Sequence, residues 1–106
     1  MADFTIGEGD RLPEINATLK VDGVAIDLTS ATVKFIMADS GGDLTVDAAA
    51  TVVSAAAGTV KYAWIAADTD TPGEYTAEWE ITFSDTRKET VPNGPKLTVQ
   101  ITPQLG

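Results

Sequence analysis

The sequence contains no cysteine and no histidine. Without cysteine there can be no disulfide and no thiolate metal site, so packing alone must hold the fold together. Without histidine, the commonest general base and the commonest transition-metal ligand are both missing. Bases are scarce too: seven lysines and arginines stand against sixteen acids, for a net charge of −9. That balance repels nucleic-acid backbone, which proteins bind through Lys and Arg contacts to phosphate. It also disfavours anionic membrane surfaces. The apolar runs are alanine-rich and far shorter than the about 20 residues a helix needs to cross a bilayer. Met1-Ala2-Asp3-Phe4 has neither a basic start nor an apolar run, so no secretory signal is expected.

What is present is β-forming sequence. The 106 residues suit one domain, expected to span 1–106, and a mean hydropathy of +0.03 fits a globular chain. Turn signals recur about every eight to twelve residues, the spacing of a sandwich or barrel. Phe4–Ile6 is the first short run. Pro13 opens a second, with Ile15, Ala17 and Leu19 on one face, and Asp22-Gly23 joins it to Val24–Ile26 as a hairpin signal. Thr32–Met37 follows, with Val33, Phe35 and Met37 on one face; Ile36 breaks the alternation, which predicts cover on both faces. Leu44–Asp47 and Ala50–Val53 read as two strands flanking a tight alanine-lined turn. Val60, Tyr62 and Trp64 alternate along 59–64. The clearest strand runs from Tyr75 to Phe83: Tyr75, Ala77, Trp79, Ile81 and Phe83 point one way, and Thr76, Glu78, Glu80 and Thr82 the other. Leu97, Val99 and Ile101 form a last alternating strand after Pro92 and Pro95. Helix is supported only by the alanines of 47–57, where Thr51-Val52-Val53 favours strand.

So many short strands cannot bury their apolar faces in one flat sheet, and two stacked sheets solve that problem. Gly73-Glu74-Tyr75 resembles the tyrosine corner of immunoglobulin-like domains, with Ala77 where the second cysteine of such domains would stand. The predicted fold is all-β, an immunoglobulin-like antiparallel sandwich of about seven to nine strands. Tyr75, Trp79, Trp64 and Phe35 in the core, with Asp22, Gly23 and Gly73 at turns, are the positions expected to define it. The terminal runs, 4–6 and 96–101, are the expected sheet edges.

Catalytic patterns are absent or better explained otherwise. Asp68-x-Asp70-x-x-Gly73 copies half a calcium loop, but Pro72 and Trp79 stand where oxygen ligands are required. Asp and Gly are ordinary turn formers there and in the 39–43 loop. Glu78 and Glu80 lie about 7 Å apart along one strand face, a spacing that suits a glycosidase pair, yet nothing else suggests a cleft. No residue is assigned to catalysis, to a cofactor or to a metal.

Taken in order, Phe4-x-Ile6-x-x-Gly9-Asp10-x-x-Pro13, Asp22-Gly23, Asp27-Leu28-Thr29-x-Ala31-x-Val33-x-Phe35-x-Met37, Gly58-x-Val60-x-Tyr62-x-Trp64 and Asp68-Thr69 through Gly73-x-Tyr75-x-Ala77-Glu78-Trp79 resemble the immunoglobulin-like domain of phage upper baseplate proteins and related tailed-phage virion proteins. The resemblance implies a non-enzymatic structural or attachment protein, made in the host cytoplasm and resident in the virion. Its implied partners are other virion proteins, with a homo-oligomer or symmetric ring on the particle, and neither nucleic acid nor membrane. The family domain usually opens a longer chain. With this sequence closing at Gly106, decoration of capsid, neck or tail is expected in place of a baseplate-to-fibre link. The rival reading is a carbohydrate- or cell-surface-binding adhesion module, which would need exposed aromatics. A metal-dependent hydrolase using the acidic loops is a distant third.

Overall fold

A computed structural model describes residues 3–21, 23–91 and 96–103. The strands are β1 (Phe4–Gly7), β2 (Ile15–Thr18), β3 (Lys20–Val21), β4 (Val24–Ala25), β5 (Thr32–Ala38), β6 (Leu44–Ala49), β7 (Thr51–Ser54), β8 (Thr59–Tyr62), β9 (Gly73–Thr82), β10 (Lys88–Val91) and β11 (Leu97–Thr102). A single 3-10 turn, Ala66–Thr69, is the one helical element among the described residues. The larger sheet runs β1-β11-β9-β5-β6, with β10 also on β9; the smaller runs β2-β8-β7, and β3-β4 is a separate hairpin. This is the all-β sandwich that the alternating pattern predicts.

The core lies between the sheets. From the larger come Ile6, Val33, Phe35, Met37, Val46, Tyr75, Ala77, Trp79, Ile81, Val99 and Ile101; from the smaller and its flanks come Ile15, Leu19, Val60, Tyr62 and Trp64. Strand β9 shows the cause most directly, since its buried residues are every second one from Tyr75 to Ile81. At the β3-β4 hairpin, Val21 pairs with Val24 and Gly23 takes φ +80, the left-handed conformation a two-residue loop requires. Asp22, singled out for the same turn, lies outside the described residues, as do Pro92 and Pro95.

Three expectations are corrected. First, there is no turn at the alanines 48–50. Ala48 and Ala49 continue β6, Ala50 still donates its N–H to the Val33 carbonyl in the larger sheet, and Thr51 already pairs with Lys61 in the smaller one. The chain passes from one sheet to the other. Alanine offers no left-handed position for a tight hairpin, and no residue from 48 to 50 has positive φ. Second, β11 is not an edge. It lies between β1 and β9, because β1 joins it in parallel, Phe4 opposite Val99 and Ile6 opposite Ile101. The loop after β1 carries the chain away to the other sheet, so the last strand is the partner left for it. Third, the strand expected over 59–64 ends at Tyr62, although Trp64 beyond it stays buried.

Candidate interaction surface

The core centre is aromatic. Phe35 is fully buried and touches three other rings: Tyr62 stacked at 4.9 Å, Trp79 tilted at 4.9 Å and Trp64 edge-on at 5.5 Å. The four aromatics named in the sequence therefore separate, with Phe35, Trp64 and Trp79 in this cluster and Tyr75 at the start of β9. Trp64 and Trp79 are 3% and 1% exposed, so neither indole is available as a stacking platform for a sugar. Neither indole N–H has an acceptor among the described residues.

The tyrosines tie loops to the core. Tyr75 donates its hydroxyl to the Thr71 carbonyl at 2.6 Å, four residues upstream, the geometry of a tyrosine corner. Tyr62 donates to Asp68 Oδ2 at 2.6 Å, and the same oxygen accepts the Ile65 N–H at 3.0 Å. Sequence reasoning took Asp68 for a turn former; its second task, holding a buried phenol, is set by a contact six residues away that no local signal encodes. Both phenols are pushed above their ordinary value. Burial is the main cause for each, reinforced by the hydrogen bond and charge of Asp68 for Tyr62 and by the charges of Asp39 and Asp70 for Tyr75.

Unfolded tyrosine ionises near about pH 10, so above that pH the unfolded chain gives up protons that the folded chain keeps. The stability these phenols contribute is complete below about pH 10 and is lost as pH rises toward their folded values. In a spectrophotometric titration, phenolate absorbance is expected to stay flat through the ordinary range and to appear together with loss of near-ultraviolet circular dichroism.

The outer face of the larger sheet is polar and charge-paired. Lys34 lies 2.9 Å from Asp47, Lys88 3.7 Å from Glu80, and Lys96 pairs with Glu78. Glu78 and Glu80 are thus engaged with lysines on a solvated sheet, as expected of a wet face. Ile36 is half-buried on this side and, with Ala38, Leu44 and Thr76, floors a shallow hollow rimmed by Glu78 and Lys96. Among the described residues no three acidic side chains are grouped to hold a metal.

One end of the sandwich is strongly acidic. Strand directions bring 8–14, 39–43 and 66–74 to the same end of the sandwich, since Gly7 pairs with Thr102, Ala38 with Thr76, Gly73 with Ile101 and Ile15 with Tyr62. Backbone and side-chain bonds lock two of these loops together: Gly9 N–H to the Thr69 carbonyl at 2.8 Å and Thr69 hydroxyl to the Asp10 carbonyl at 2.9 Å. These three segments, the last running into the start of β9, hold Glu8, Asp10, Glu14, Asp39, Asp43, Asp68, Asp70 and Glu74 against a single base, Arg11. Leu12 and Ile65 stand exposed on or beside them. The arrangement suits contact with another protein surface.

A family model, the BppU N-terminal domain, matches residues 2–94. Among curated proteins none matches this sequence. Among solved structures, the crystal structure of CopC from Methylosinus trichosporium OB3b is similar in fold, with a TM-score of 0.58 over 100% of this chain and 89% of that one, at 13% identity. At that identity the likeness concerns the fold alone.

Proposed function

Because the chain belongs to the family of the BppU N-terminal domain, the N-terminal domain of a phage baseplate upper protein, we propose that it is a non-enzymatic structural component of a tailed-phage virion, working through contacts with other virion proteins. The observation that carries this reading is the family match over residues 2–94. The chemistry agrees with it. The chain has no histidine or cysteine, and Asp47, Glu78 and Glu80 on the larger sheet are paired with lysines.

The β1 edge and the acidic loop end are the surfaces we assign to attachment. Strand β1 is the outermost strand beyond β11 and can accept an added strand from a neighbour; the acidic end would meet a basic surface. Intact particles purified through a density gradient are expected to contain the protein at a fixed ratio to the other baseplate proteins. Detection only in infected-cell lysate, never in purified particles, would sink the reading. Thr5→Lys, which places a charge on exposed β1 without touching the core, is expected to lower incorporation; unchanged incorporation would remove β1 from the interface.

A further inference from the structure

The other end of the larger sheet is also an edge, and its backbone chemistry is specific. Ala50 donates its N–H to the Val33 carbonyl at 2.8 Å, which makes 50 and 33 a hydrogen-bonded pair. Antiparallel pairs alternate between bonded and non-bonded. With Ala49 opposite Lys34, Ala48 opposite Phe35 and Asp47 opposite Ile36, Ala48 bonds inward to β5. Asp47 and Ala49 turn their N–H and C=O groups outward, to the side where β6 has no neighbouring strand among the described residues.

Natural edges are blunted by lysine, proline, short length or bulges. Strand β1 is four residues long and runs into Glu8; β2 is four residues and follows Pro13; β10 carries Lys88 and Glu89. Strand β6 is six residues long and has no lysine, proline or glycine. Its one charge, Asp47, is already matched by Lys34 at 2.9 Å. A bulge near Thr45 bounds it at one end.

We propose that β6 pairs with β6 of a second copy of this chain, antiparallel, about a two-fold axis at Ala48. The run Val46-Asp47-Ala48-Ala49-Ala50 is self-complementary about that point. Asp47 then faces Ala49 of the second copy and Val46 faces Ala50. No like charges oppose each other. An axis at Asp47 would set two aspartates together. Ala48 meets Ala48 as a non-bonded pair, the close approach of about 4.5 Å between Cα atoms that a methyl side chain accommodates. The outward groups of Asp47 and Ala49 bond reciprocally. Each copy spends its single β6 edge, so the assembly closes as a dimer.

Sedimentation equilibrium of the whole chain over a concentration series is expected to show a reversible monomer and dimer. Ala49→Pro removes the outward N–H and, by symmetry, two bonds at once, so association should weaken roughly tenfold or more. Ala49→Asp tests the same edge at an exposed position without altering the ladder to β5; it sets an aspartate opposite Asp47 of the second copy, so it should weaken the dimer and leave the melting temperature of dilute, monomeric protein unchanged. Oxidised Ala48→Cys should give a covalent dimer in excess of an exposed Leu12→Cys control, because a Cα separation of about 4.5 Å lies within disulfide range. A single monomer mass at every concentration, a dimer indifferent to Ala49→Asp, or a ladder of larger species would each overturn the proposal.

Discussion

Phe35→Ala is expected to lose about 3–5 kcal/mol of folding stability, a large share of the about 5–15 kcal/mol a domain of this kind possesses. Phe35 is fully buried in the middle of β5, the strand that links β9 to β6, and its ring touches Tyr62, Trp64 and Trp79. Removing it deletes contacts to both sheets at once and leaves a space its rigid neighbours cannot fill. Urea denaturation followed by tryptophan fluorescence and by far-ultraviolet circular dichroism measures the loss. Phe35→Leu keeps part of the volume and is expected to lose less. A loss below about 1 kcal/mol for Phe35→Ala would mean that the cluster collapses around the gap and that Phe35 is not its centre.

Gly58→Ala is the second large effect. Gly58 has φ +70, and a Cβ there would stand 2.8 Å from the Ile26 carbonyl oxygen and 2.9 Å from that of Leu19. Those are backbone atoms in a bonded set: Leu19 donates to the Gly58 carbonyl at 2.8 Å and Ile26 to the Leu19 carbonyl at 2.9 Å. They cannot swing aside as a side chain would. The left-handed conformation alone costs about 1–2 kcal/mol for alanine, and displacing the Leu19–Ile26 segment adds roughly 1–3 kcal/mol. Gly42→Ala is the control, because Gly42 also has positive φ but open space around it. The melting temperature is expected to fall further for Gly58→Ala, by about 4–8 °C for each additional kcal/mol. Equal losses at the two positions would show that the turn at 55–58 moves freely away from the hairpin.

Where local pattern decides structure, the sequence was readable. The alternation from Tyr75 to Ile81 is the burial of β9, and Val33, Phe35 and Met37 mark the buried face of β5. The Asp-Gly dipeptide placed the β3-β4 turn between the right residues. What stayed hidden was decided by partners distant in sequence. Nothing local to Ala50 tells whether the chain turns back or crosses to the other sheet; the open place beside β8 decides that. Nothing in Phe4–Gly7 announces a parallel partner some 95 residues on. For the surface, the polar face of β9 was legible in Glu78 and Glu80, but the lysines that pair with them come from β10 and from the residue just before β11. The outward backbone of Asp47 and Ala49 could be deduced only after the register with β5 was known.

The parallel seam between β1 and β11 has a mechanical consequence. Residue 3 sits beside Thr98 at one end of the seam, and Gly7 beside Thr102 at the other. Tension applied through the backbone before β1 and after β11 would therefore pull the two strands past each other along their length. In that geometry the hydrogen bonds of the seam share the load and must rupture together, whereas a hairpin pulled from its open end yields one bond at a time. Resistance to force is governed by the unfolding barrier rather than by equilibrium stability. A domain stretched between two attachments would hold through four paired residues acting as a clamp.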